Sequence, residues 1–186
     1  VPAIVDSESA WQGMVELYAL PGMTEVCLRL QDRYGVSVST LLTLVWSARA
    51  GHGPLTVAAA AAVAPDAERL ERDVLRPYRH ARNGLRGLAR QDEAAADLRR
   101  DLLTRELALE RFVQQRVVHL LRPDDARDAP GDAGRDCRAT VARYLAAIPV
   151  QDSPELRADL RQFFLALGDT APDRAVSEVV GGESVP

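Results

Sequence analysis

Arg69, Arg72, Arg76, Arg79, Arg82, Arg86 and Arg90 recur every three or four residues through "RLERDVLRPYRHARNGLRGLAR". At 100° per residue they fall within about 140° of one another around a helix axis. Leu70, Val74, Tyr78, Ala81, Leu85 and Leu88 take the opposite side. Guanidiniums at this spacing suit one kind of chemistry above others, the holding of carboxylates or phosphates. Within the segment only Glu71 and Asp73 offset them, which leaves a local charge of +5 against −9 on the rest of the chain.

Arg72, Arg76, Arg79, Arg82, Arg86 and Arg90 are therefore the candidate partner- or anion-binding residues. In one reading they pair with acids on neighbouring helices, Asp92, Glu93, Asp97 and Asp101 being candidates, and cover apolar surface with their stems. In the other the face is open and captures an anion. A protein partner is the leading expectation, which makes the chain a non-enzymatic adaptor or regulatory protein. The alternative is an RNA- or phosphate-binding module on the same face. The net charge of −4 and the lack of aromatic residues beside Tyr78 on which bases would stack speak against nucleic acid. A third class is a small-ligand pocket or an enzyme site between helices, near Trp11, Tyr18 and Trp46.

Other chemistry finds little support. "DDARD" places Asp124, Asp125 and Asp128 in the pattern with which helical prenyl-transferring enzymes hold magnesium, but here it follows a proline in an acidic loop. His52, His80 and His119 stand apart, with no metal-ligand spacing among them. Glu106 and Glu110 share a helical face, where pairing with Arg105 or Arg111 outweighs a carboxylate metal site. Cys27 lies on an apolar face, as an inert core thiol, and Cys137 has no nearby partner. No phosphate-binding glycine loop or nucleophile elbow occurs. No catalytic residue, metal or cofactor is nominated.

These side chains need helices to position them. Trp11, Met14, Val15 and Tyr18 repeat at helical spacing within Asp6 to Leu20, with Ser7 or Ser9 as the cap. Met23 to Arg33 forms a second helix that Gly35 stops. Val38 to Ala50 is apolar all round, the mark of a central helix. A strand over Val36 to Val45 is the alternative, but no other segment offers to pair with it. "GHGP" at 51–54 is a turn, a short alanine-rich helix follows, and Pro65 fits the first position of the basic segment. Pro77 should kink or break that segment at a cost of about 3 kcal/mol. Gly84 and Gly87 weaken it further while leaving room for another helix to approach. Glu93 to Leu121 is a long helix, and two more run from Asp136 to Ile148 and from the "SPE" cap at 153–155 to Leu167.

The fold expected is all-α, a single compact helical bundle of about six to seven helices over residues 1–168. The acidic stretch 122–134 reads as a mobile loop and residues 169–186 as a disordered tail. Hydrophobic residues at 47% and charged residues at 27% are ordinary for a globular protein. The start "VPAIVDSESAWQGM" carries no basic region ahead of an apolar run, and "LTVAAAAAVA" falls short of the ~20 residues a membrane span needs. A soluble cytoplasmic chain with no membrane partner is expected.

"WQGMVELYALPGMTEVCLRLQDRYGVSVSTLLTLVWSARAG" followed by "VLRPYRHAR" resembles a bacterial family of small helical proteins known only as domain of unknown function 2390. The likeness extends more loosely through "RELALERF" and "VARYLAAI". It implies an all-helical cytoplasmic protein with no assigned activity and no assigned catalytic residues. The acidic loop and the segment beyond Gly168 look like additions to the family's usual length.

Overall fold

A computed structural model of the chain describes residues 6–121 and 126–181. Over these residues the fold is all-α, built from α1 (Ser7–Tyr18), α2 (Met23–Tyr34), α3 (Val38–Ser47), α4 (Val57–Leu70), α5 (Arg76–Gly84), α6 (Glu93–Leu120), α7 (Ala133–Ala146), α8 (Pro154–Ala166) and α9 (Pro172–Val180). α3 is the axis of the bundle. It touches α1, α2, α6 and α7, and every one of its residues except Trp46 is buried. Thr43 Oγ1 donates to the Ser39 carbonyl at 2.7 Å and Ser37 shares a hydrogen bond with Thr40 at 2.9 Å, whereas Ser47 Oγ is buried without a partner among the described residues.

Capping explains several boundaries. Asp6, not Ser7 or Ser9, caps α1 by accepting from the Ser9 amide at 2.8 Å, and Ser153 caps α8 through the Leu156 amide at 3.1 Å. Gly35 ends α2 in the left-handed region at φ 69°, as its position predicts. Trp46 lies against Gly13 of α1, where any side chain would strike the indole. That contact sets the close approach of α1 to α3 and removes Trp46 from the pocket candidates.

Two prolines behave differently from expectation. Pro65 sits inside α4 instead of opening a helix. Pro77 does not break the basic segment, because the turn before it widens and the backbone stays right-handed helical into α5. Residues Glu71–Leu75 form a π turn in which the Arg76 amide donates to the Glu71 carbonyl five residues back. Widening relieves the clash between the proline ring and the preceding turn. It also inserts one residue, so everything after it is rotated by about 100° from where a straight helical wheel puts it. Gly84 and Gly87 are not close-approach points, since a side chain at either would meet nothing within 4 Å.

The segment 122–134 is not free throughout. Asp124 and Asp125 lie outside the described residues, but Leu55 and Arg127 form an antiparallel bridge. The Thr56 amide donates to the Ala126 carbonyl at 3.0 Å and the Asp128 amide to the Pro54 carbonyl at 2.9 Å. Gly53 makes this crossing possible: its φ is 81°, and a β-carbon there would strike the Asp128 carbonyl. Asp128 pairs with Arg143 at 2.6 Å. The disordered tail expected from 169 onward is likewise corrected over 172–180, where α9 docks on α7 and α8 and buries Ala175, Val176 and Val179. No helix among the described residues is long and apolar enough to cross a membrane.

Candidate functional site

Five helices converge on one cavity of about 410 Å³. α1 contributes Trp11, Met14, Val15 and Tyr18, four residues at the spacing of a single helical face. α6 repeats the pattern with Leu103, Glu106, Leu107 and Glu110. α2 supplies Cys27, Leu28 and Gln31, α3 supplies Val38, Ser39 and Leu42, and α5 supplies Arg79 and Arg82. The walls are mostly apolar, and the charged residues come only from α5 and α6. Val15, Leu28, Leu103 and Leu107 are each 41–48% exposed, so the cavity has an apolar opening to solvent.

The π turn decides which arginines reach this place. On α5, Arg79 and Arg82 turn inward onto α6 with side chains only 12% and 16% exposed, in place of the outward face expected of them. Arg79 pairs with Glu71, with Glu110 at 3.0 Å and more loosely with Glu106 at 3.4 Å. Arg82 grips Glu106 with two hydrogen bonds, at 2.6 and 3.2 Å. The guanidiniums are thus neutralised by acids, as one of the two competing readings holds, but not by Asp92, Glu93, Asp97 or Asp101. Asp92 caps α6 and Asp97 pairs with Arg100. Glu106 and Glu110 pair across the helix interface and not along their own helix with Arg105 or Arg111. Arg111 instead binds Glu8 and lies over the Trp11 ring, 5.4 Å from its centroid.

Arg72 and Arg69 pair locally with Asp73 and Asp66, and Arg86 reaches Asn83 at 3.3 Å. Arg76 and Arg90 are exposed and make no ion pair among the described residues. Of the pocket candidates, Trp11 and Tyr18 line the cavity. Sequence reasoning nominated neither the acids as partners of the stripe nor the apolar rim. The signal available for both was the shared face of Leu103, Glu106, Leu107 and Glu110.

Burial shapes the charges here. It pushes the carboxyls of Glu71 and Glu110 above the ordinary carboxylate range, with Arg79 offsetting part of the effect in each case. Burial also opposes the charge on Arg79, but Glu71 and Glu110 outweigh it and hold the guanidinium above its ordinary value. The Cys27 thiol is pushed up to about 12 by burial, so it is no nucleophile at neutral pH. Among the described residues no group of three or more His, Cys, Asp or Glu is placed to hold a metal ion.

A pH dependence of stability follows from these directions. A carboxyl whose value is raised by folding binds its proton more tightly in the folded chain. Its contribution is complete below the unfolded value, about 4.3 for Glu, and is lost as pH climbs through the raised one. Glu110→Gln fixes the neutral state. Its unfolding free energy should run parallel to that of the parent chain at low pH and gain on it as pH rises to 7, in urea titrations at each pH. Curves that stay parallel across the range would mean Glu110 titrates as it does in water.

The fold and site define a helical bundle in which α1, α2, α3, α5 and α6 enclose a mostly apolar cavity with an arginine–glutamate floor. The chain belongs to the family described as a protein of unknown function, DUF2390, whose model matches residues 9–117. The match includes every residue that lines the cavity and stops before "VARYLAAI". Comparison with curated proteins and with solved structures gives no match.

Proposed function

We propose that this protein binds a small ligand with an apolar body and a polar head, in the cavity between α1, α2, α3, α5 and α6. The observation that carries this reading is the cavity itself. Its 410 Å³ lie in the ordinary range for small-molecule sites, roughly 300–1,000 Å³, and its apolar walls end on a few fixed polar groups. Trp11, Met14, Leu28 and Leu107 would hold the body, while Gln31, Ser39 and the Arg79–Glu110 side offer hydrogen bonds to the head. The floor is preorganised, because each guanidinium is already held by carboxylates before any ligand arrives.

The test is a screen of aromatic and short alkyl fragments by ligand-observed NMR, repeated on Leu107→Trp. Leu107 is 48% exposed at the opening, so the larger ring fits without disturbing the core while it narrows the cavity. Fragments that bind the parent chain should lose at least about tenfold in affinity on the variant, the order of one good apolar contact. A screen without hits, or hits indifferent to Leu107→Trp, would overturn the reading.

A second reading, an adaptor that docks another protein, is favoured by the half-exposed Val15, Leu28, Leu103 and Leu107 at the opening and by the outward Arg72, Arg76, Arg86 and Arg90. It no longer draws on Arg79 and Arg82, whose charges are spent inside the molecule. The phosphate- or RNA-binding variant of that reading loses the same two central arginines.

A further inference from the structure

The polar end of the cavity carries no net charge. Glu106 and Glu110 stand against Arg79 and Arg82, and the other residues of the lining bring neither sign. Burial holds the Cys27 thiol and the Tyr18 phenol above their ordinary values, so each keeps its proton at pH 7. Glu71 lies behind Arg79, outside the lining, and is acted on by Arg76 as well, so counting both leaves the balance as it was. A head group with a charge of its own would add one that nothing here matches, within walls that are mostly apolar.

Groups of both hydrogen-bonding senses stay open. Arg82 spends Nε and Nη2 on Glu106 and keeps Nη1. Arg79 gives Nη1 to Glu71 and Nη2 to Glu110, and its Nε stands 3.4 Å from Glu106. Glu110 accepts through Oε1 and receives nothing on Oε2 from any described residue. Ser39 decides the matter. It is only 5% exposed and lines the cavity, yet its hydroxyl makes no hydrogen bond with any described residue. Its neighbours on α3 differ, since Ser37 and Thr40 serve each other and Thr43 uses the Ser39 carbonyl. A buried hydroxyl on a cavity wall, left out of that local bonding, is available to a molecule inside the cavity.

We propose that the ligand of this cavity is uncharged, with an alcohol or amide head hydrogen-bonded to Ser39 and an apolar body between Trp11 and the leucines of α2 and α6. The inference rests on the cavity being a ligand site. It names the class of that ligand as small neutral amphiphiles and Ser39 as the residue that selects them. A hydroxyl both gives and takes a hydrogen bond, so it suits a head that does the same. Arg82 Nη1 and Glu110 Oε2 add one open donor and one open acceptor to the same lining without altering its charge.

The experiment compares four probes with a shared phenylethyl body: 3-phenylpropionamide, 3-phenylpropionate, 2-phenylethylamine and phenylalanine, titrated calorimetrically into the full chain at pH 7. The amide should bind at least about tenfold tighter than the carboxylate or the ammonium, the order of leaving a charged group unpaired. Phenylalanine, neutral in sum but carrying two full charges, should bind no better than those ions. Ser39→Ala should weaken the amide by about three- to tenfold, the worth of one neutral hydrogen bond, and leave the urea midpoint no lower. An ion or phenylalanine that binds as tightly as the amide would overturn the uncharged head while the ligand site stands. So would failure of all four on a chain that captures other fragments. Amide binding indifferent to Ser39→Ala, or a midpoint that falls with it, would remove Ser39 as the selecting residue. Only a fragment screen without hits would remove the ligand site itself.

Discussion

Replacing Arg79 with methionine should lower the unfolding free energy by about 3–5 kcal/mol, the scale for breaking a buried ion pair from one side. Three carboxylates converge on this guanidinium, and two of them, Glu71 and Glu106, have side chains no more than 6% exposed. Without Arg79, Glu71 loses the one ion-pair partner it has among the described residues, and burial already pushes its carboxyl upward. The loss should therefore shrink as pH falls and Glu71 and Glu110 take up protons. Replacing Glu71, Arg79 and Glu110 together by Leu, Met and Leu should recover most of the stability, because an apolar cluster of similar volume avoids desolvating any charge. Arg82 and Glu106 would remain as a closed pair in that triple variant. Urea titrations of the parent chain and both variants are the measurement. A single variant as stable as the parent would mean that these charges stay solvated and that the cavity floor is not preorganised.

The same arginine shows where helical periodicity stops being informative. The wheel that places seven arginines on one outer face assumes 3.6 residues per turn from Arg69 to Arg90. It holds until Leu70, whose burial is as expected. The π turn at Glu71–Leu75 then advances the register by one residue, so Arg79 and Arg82 face the interior and Ala81 faces solvent. Pro77 signalled trouble at this point, but a proline specifies only that the ordinary hydrogen bond is lost. Whether the chain kinks, breaks or widens depends on what the following turn can reach. Here it reaches Glu106 and Glu110 of α6, a contact between residues more than twenty positions apart. Elements defined by local signals were easier to read. The Gly35 stop, the Ser153 cap and the all-round apolarity of α3 each depend on neighbours within a turn or two. Of the cavity, Trp11 and Tyr18 were legible as large amphipathic residues on one face of α1. Trp46 looked equivalent by type and was not, because Gly13 brings α1 down onto its ring.

Truncation after Gly168 should destabilise the fold by about 2 kcal/mol or more, although composition marks the removed segment as a tail. "PDRAVSEVV" has only nine residues, three of them valines, so as an isolated peptide it has little tendency to be helical. Its order comes from the surface it covers. Val176 and Val179 lie one turn-spacing apart and are buried with Ala175 against α7 and α8. Burial of two valines is worth about 3–6 kcal/mol before the entropy of ordering the helix is subtracted. A polar clamp adds to this. Arg138 on α7, 17% exposed, binds Asp169 at 3.0 Å and Glu178 at 2.7 Å. Both acids are removed by the truncation, which leaves that guanidinium half-buried without a counter-charge. Glu178→Gln in the full chain separates the two contributions, since it removes one side of the clamp and leaves the valines in place. Its loss should be a fraction of that of the truncation if apolar docking dominates, and nearly equal to it if the clamp does. A truncated chain with an unchanged urea midpoint would show α9 to be a passenger, and the reading of residues beyond 168 as a tail would then be the correct one.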